Sequence, residues 1–146
     1  MLSVGLGTLK QVTEVARRAG AEIMRVYNSD FSVNKKDDDS PVTEADTAAE
    51  AIILRSIREG ITNDFPIVSE EAASAGNLPD VQGTPFWLVD PLDGTKEFVS
   101  RNGEFTVNIA LIENSRPVLG VVYLPVKGIT YMAAVAGAFI QEDGGE

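Results

Sequence analysis

Two residue types that carry much of enzyme chemistry are missing from this 146-residue chain, which contains no cysteine and no histidine. Without cysteine there is neither a disulfide frame nor a thiolate zinc site. Without histidine the commonest general base and the commonest zinc ligand are absent. Any catalysis therefore rests on carboxylates, hydroxyls, amides, Lys or Arg. Aromatics are sparse, at 7%, with a single tryptophan at Trp87. No run approaches the roughly 20 apolar residues of a membrane span, and the opening "MLSVGLGTLKQ" lacks the basic start and apolar core of a signal peptide, so a cytoplasmic location is expected. Basic residues are outnumbered, 12 against 22 acidic, for a formal net charge of −10. That balance argues against attraction to polymeric nucleic acid or anionic lipid, and an anionic substrate would need local help.

What is present is an ordinary globular mix, 44% hydrophobic and 23% charged, with no repeat, low-complexity tract or evident linker. Leu9, Val12, Val15, Ala16, Ala19, Ile23 and Val26 recur at steps of three and four, which predicts an amphipathic helix ending near Tyr27. "NKKDDDSP" reads as a solvated connector. "PVTEAD" opens a second helix, with Ala45, Ala48, Ala49, Ile52, Ile53 and Ile57 inward and Gly60 as its stop. After it come strand candidates in "FPIVSEE" and "FWLVD", separated by the loop "AASAGNLPDVQGTP". A short helix, "TKEFVS", is closed by "RNG". "EFTVNIALIE" alternates, placing Phe105, Val107, Ile109 and Leu111 on one face. "VLGVVYL", "ITYMAAV" and "AFIQ" complete the strands, and the closely spaced turns "NSRP" and "VKG" favour antiparallel pairing. The expected fold is α+β, two helices packed on an antiparallel sheet.

The chemistry concentrates in "WLVDPLDGTKEF". Apolar residues lead straight into Asp90 and Asp93, and an unpaired carboxylate is costly to desolvate. Pro91 is expected to end the strand, since it supplies no ladder donor. Gly94 permits a tight path into the helix that starts at Thr95, so the amides of Gly94 and Thr95 can face an anion. Acids beside an anion cradle suit a divalent cation that binds carboxylate on one side and phosphate oxygen on the other, and Mg²⁺ prefers such oxygen ligands. Asp90 is placed to bridge two ions, with Asp93 on one and the Leu92 carbonyl on the other. "VSEE" offers a third acid at another strand end, Glu70 in preference to Glu71. Each piece also has a plainer reading. Asp-Pro and Asp-Gly are common turn dipeptides, Thr43 with Asp46 fits a helix capping box, and Glu70 and Glu71 fit a solvated surface.

"WLVDPLDGT", preceded by "VSEE" and "SPVTEAD", resembles the inositol monophosphatase-like superfamily of Mg²⁺-dependent, lithium-sensitive phosphatases, whose signature contains D-P-(L/I)-D-G-(S/T). The continuation "KEFVSRNGEFTVNIALI" resembles its 3′(2′),5′-bisphosphate nucleotidase branch, which removes the 3′-phosphate of adenosine 3′,5′-bisphosphate, a by-product of sulfate activation. The resemblance runs from about Leu9 to Gln141. It implies Glu70, Asp90 and the Leu92 carbonyl for a first metal, and Asp90 and Asp93 for a second. It further implies that Gly94 and Thr95 hold phosphate by their amides, and that Thr95 with Asp46 assists water activation beside Glu70. The expected reaction is in-line attack on phosphorus by a metal-activated water, chemistry that is mostly positioning and electrostatics and needs no histidine.

One departure stands out. Members of that superfamily continue into a further α/β domain, which supplies another aspartate from a W-D motif, and that motif is not in this sequence. Residues 1–146 are therefore expected to form the amino-terminal metal- and phosphate-binding domain, with weak or no activity alone. A surface shaped for the other domain would invite self-association. Two alternatives accompany the nucleotidase reading: an inositol monophosphatase of the same superfamily, and a non-catalytic metal-binding or dimerising fragment.

Overall fold

The apolar stripe of the first segment does form a helix, α1, over Leu6–Tyr27, in a computed structural model that describes residues 5–29, 33–35, 41–69, 83–135 and 137–142. Leu9, Val12, Val15, Ala16, Ala19, Ile23 and Val26 are all buried along one face. Gly20 belongs to the same face for a steric reason. A Cβ built there would meet Tyr123 Cε2 at 2.4 Å, so only glycine lets α1 lie this close to the sheet. On the opposite, exposed side, Arg25 donates to Glu22 Oε1 at 2.6 Å and holds the Glu22 carboxyl below the usual carboxylate range.

The second helix, α2, spans Glu44–Gly60. Ala45, Ala49, Ile53 and Ile57, four residues apart, form its buried ridge, while Ala48 and Ile52 are half-buried beside it. Acids in its first turn and Arg58 in its last both suit the helix dipole. Before it, β1 (Val33–Lys35) and β2 (Pro41–Thr43) pair antiparallel as a small ribbon, where a plain connector was expected. The acidic run 37–39 lies outside the described residues.

Six strands form the main sheet: β3 (Ile67–Ser69), β4 (Phe86–Asp93), β5 (Thr106–Glu113), β6 (Arg116–Leu124), β7 (Ile129–Ala134) and β8 (Gly137–Glu142). They lie side by side in chain order. From β4 onward every pairing is antiparallel. Asn114 and Ser115 make the tight turn into β6 with φ of 52° and 63°, the two positive values that a two-residue hairpin of this hand requires. The sheet departs from the antiparallel expectation at one edge, where β3 runs parallel to β4 with Ile67, Val68 and Ser69 opposite Trp87, Leu88 and Val89. Residues 70–85 separate these two strands, enough chain for the crossover that parallel pairing needs and a tight turn cannot give.

Helices α1 and α2 pack against each other and onto one face of the sheet, α1 over β5, β6 and β7 and α2 over β4. Between them lie Trp87, Val89, Val107, Ile109, Leu111, Leu119 and Val121. The fold is α+β, and among the described residues a third, short helix, α3 (Thr95–Val99), stands at the far end of β4.

Candidate metal and phosphate site

The strand that carries the acids does not stop at Pro91. β4 continues through it to Asp93, and the pairing with β5 slips between Asp90 and Asp93: Asp90 faces Asn108 and Asp93 faces Thr106. Two residues of β4, Pro91 and Leu92, thus oppose Val107 alone, which is a β-bulge. Proline is tolerated because the bulge asks no ladder donor of it. The consequence for the acids is geometric. In a regular strand, residues three apart point to opposite faces. The extra residue cancels one alternation, so Asp90 and Asp93 share the face that also carries Leu88 and Asn108, while Pro91 and Leu92 turn inward and are buried.

Gly94 then turns the chain. Its φ of 94° lies in the left-handed region, and a Cβ there would stand 3.1 Å from Glu97 Oε2 and 3.4 Å from the Phe105 backbone. It caps α3, with its carbonyl accepting from the Phe98 amide at 2.9 Å and no side chain capping the amino end. Phe98 anchors the helix: its ring lies 5.4 Å from Tyr27 and 5.2 Å from Phe105, an aromatic trio that ties α3 to the end of α1. Beyond α3, Arg101 donates to the carbonyls of Tyr27 and Ser29, closing the last turn of α1 from outside.

Thr95, the first residue of α3, donates its hydroxyl to Asp46 Oδ1 at 2.9 Å. A second, longer contact runs from the same oxygen to the Leu92 carbonyl at 3.4 Å. Asp46 is fully buried in the first turn of α2. The positive end of that helix and the Thr95 hydroxyl together offset the cost of placing a carboxylate there. Residues 49 positions apart in sequence are thus in direct contact, the pairing that the resemblance assigned.

Asp93 is exposed and accepts from Asn108 Nδ2 at 3.2 Å, while Asn108 Oδ1 accepts from the Thr106 hydroxyl at 2.9 Å. At the end of β3, buried Ser69 donates to Glu50 Oε2 of α2 at 2.8 Å. Glu70 and Glu71, which follow directly, lie outside the described residues. Among the described residues no three acidic side chains converge into a cation-sized cluster. The donors that do share the face, Asp90 and Asp93 with the Leu92 carbonyl nearby, are all oxygen, and such a set fits a hard divalent cation rather than a thiophilic one.

Asn108, Thr106 and Arg101 were not singled out from sequence. On the alternation of β5, Asn108 sits on the outward face and reads as a solvated position. A signal was available, since asparagine is depleted in strands. Arg101 was read only as part of a helix stop, and nothing in "RNG" tells which carbonyls it reaches.

A bulged acid pair, an αL glycine and a threonine resting on a distant buried aspartate thus gather oxygen donors at one end of β4 on an α+β sheet. The inositol monophosphatase family model matches residues 8–144, and the chain belongs to that family. Within it, the chain is similar to the 3′(2′),5′-bisphosphate nucleotidase CysQ of Salmonella typhimurium, 52% identical over 138 residues covering 93% of this chain and 55% of the relative. The protein of the same name from Escherichia coli is 49% identical over the same shares. The crystal structure of CysQ from Bacteroides thetaiotaomicron superposes with a TM-score of 0.74 at 40% identity, over 93% of this chain and 49% of that one. An IMPase of Thermotoga maritima gives a TM-score of 0.80 at 30% identity, over 93% and 52%. The chain therefore spans about half the length of the relatives it matches.

Proposed function

We propose that the chain is the amino-terminal, metal- and phosphate-binding part of a Mg²⁺-dependent phosphomonoesterase that removes the 3′-phosphate of adenosine 3′,5′-bisphosphate in the cytoplasm. The observation that carries this reading is the placement of Asp90 and Asp93 on one face by the bulge, beside the Thr95–Asp46 pair. The similarity to bisphosphate nucleotidases at about half identity supports the choice of substrate.

In this reading Asp90, Asp93, Glu70 and the Leu92 carbonyl hold the divalent ions, which when bound would neutralise phosphate charge and acidify a coordinated water. The Gly94 and Thr95 amides hold phosphate oxygen at the uncapped start of α3. Thr95 Oγ1 passes its proton to Asp46 Oδ1 along the 2.9 Å contact while accepting one from the attacking water. A threonine hydroxyl alone is too weak a base for this, and the buried carboxylate behind it supplies the missing basicity. Asp46 is thereby the proton acceptor, with Thr95 the group that touches the water.

A second reading, an inositol monophosphatase, is favoured by the likeness to the Thermotoga IMPase. Phosphate release from adenosine 3′,5′-bisphosphate and from inositol monophosphate separates the two. The assay is run in Mg²⁺ on the chain alone and on a protein that also carries the carboxy-terminal half present in its relatives. Preference for the nucleotide is expected, with little or no turnover by the chain alone. Preference for the inositol ester would overturn the substrate assignment. Absence of turnover in both forms would leave the chain a non-catalytic fragment that associates with itself or binds metal only.

A further inference from the structure

The pair formed by Asp93 and Asn108 has features that a solvated strand position does not explain. Asn108 is the direct cross-strand neighbour of Asp90 and donates to Asp93, so one neutral side chain stands against both acids. Its orientation is fixed from behind. The Thr106 hydroxyl donates to Oδ1 at 2.9 Å, which leaves Nδ2 facing Asp93 at 3.2 Å. The flipped amide would set its carbonyl oxygen against a carboxylate oxygen, which is repulsive. Thr106 and Asn108 lie two apart on β5 and so share the face, and the bulge in β4 brings Asp93 opposite Thr106. The chain Thr106 to Asn108 to Asp93 thus forms only because of the register slip.

An amide at this position does what a charged residue cannot. A lysine would neutralise the acids and compete with a cation, and a further acid would repel both carboxylates. An amide donor takes one lone pair of Asp93 Oδ2 and leaves the net charge of the pair untouched. Hydrogen bonds of this kind orient metal-binding carboxylates, and their loss typically costs about 10- to 100-fold in metal affinity.

We infer that Asn108, backed by Thr106, is a positioning residue that fixes the Asp93 carboxylate for divalent-cation binding. The inference rests on Asp93 being a metal ligand, as proposed above. The test is Mn²⁺ titration of the chain, followed by the electron paramagnetic resonance of free Mn²⁺, together with urea unfolding of the same samples. Asn108→Leu keeps the side-chain volume and suits a strand, so its unfolding midpoint should hold while its Mn²⁺ dissociation constant rises roughly 10- to 100-fold. Asn108→Ala repeats the measurement with a smaller side chain, in case leucine on this face causes aggregation. Because Asn108 acts through Asp93, Asp93→Asn with Asn108→Leu should bind no more weakly than Asp93→Asn alone. Wild-type affinity in Asn108→Leu and Asn108→Ala, or losses that add in the double variant, would overturn the role of Asn108 and leave the metal reading intact. Failure of the unsubstituted chain to bind Mn²⁺, or undiminished binding in Asp90→Asn, would overturn the metal reading and this inference with it.

Discussion

Thr95 and Gly94 are adjacent, and each is needed for a different reason. The hydroxyl of Thr95 reaches buried Asp46 from the side of α3. Thr95→Val removes it with little change of shape, and under the proposed function kcat of the chain joined to the carboxy-terminal half of its relatives should fall by about 10²- to 10⁴-fold. Thr95→Ser should retain most of the rate. Steady-state kinetics checks both, and a full rate in the valine variant would remove Thr95 from the proposed proton path. Gly94 answers to backbone geometry. At φ 94° any side chain is strained, and the built Cβ stands 3.1 Å from Glu97 Oε2. Gly94→Ala should cost about 1–2 kcal/mol of stability, read from urea unfolding. An unchanged midpoint would mean the turn relaxes into another conformation. Both residues were legible in sequence, because glycine before a helix start and a hydroxyl beside acids are local signals. That Asp46 is the partner of Thr95 came from the family resemblance, since no local pattern links positions 49 apart.

Among the elements, the helices were the easiest to foresee. Their stripes repeat at a period that only a helix satisfies, and every apolar residue assigned to α1 is buried. The fit of α1 to the sheet is tighter than the stripe suggests, because Gly20 lies against the Tyr123 ring. Gly20→Ala should therefore destabilise the chain by about 1–3 kcal/mol despite the better helix propensity of alanine, since overpacking opposes it. Thermal unfolding decides the sign, and a stabilised variant would show that α1 can lift without loss. Strand β4 was harder. Proline was expected to end it at Pro91, on the sound ground that it lacks a donor. The bulge removed the need for that donor, and the strand ran on to Asp93. Parallel pairing of β3 was likewise hidden, because strand direction depends on how the chain re-enters the sheet at β4 and not on any local pattern.

At the scale of the whole molecule, the described helices cover one face of the sheet, and the other carries an apolar band. Leu88, Val122, Tyr131 and Ile140 are 47%, 37%, 45% and 69% exposed. They occupy neighbouring strands on that face, with Ala110, Gly120 and Ala133 forming a shallow trough between them. Val68, Leu88, Ala110, Gly120 and Val122, with Asp90 and Asn108, line a depression of about 480 Å³. Uncovered apolar area of this kind favours association. The isolated chain is expected to sediment as dimers or larger species at micromolar concentration, and the double variant Tyr131→Lys, Ile140→Lys to sediment as a monomer. Monomeric behaviour of the unsubstituted chain in sedimentation velocity would refute self-association. No helix among the described residues is long and apolar enough to cross a membrane.

Sequence by itself determined the helices, the tight turns, the apolar core and the lack of thiolate and imidazole groups in residues 1–146, because periodicity, turn chemistry and residue type are local properties. Tertiary structure decided which acids share a face, which direction β3 takes and which amide backs Asp93. Those outcomes depend on pairing register, and a slip of one residue between β4 and β5 turns every later side chain to the opposite side of the sheet.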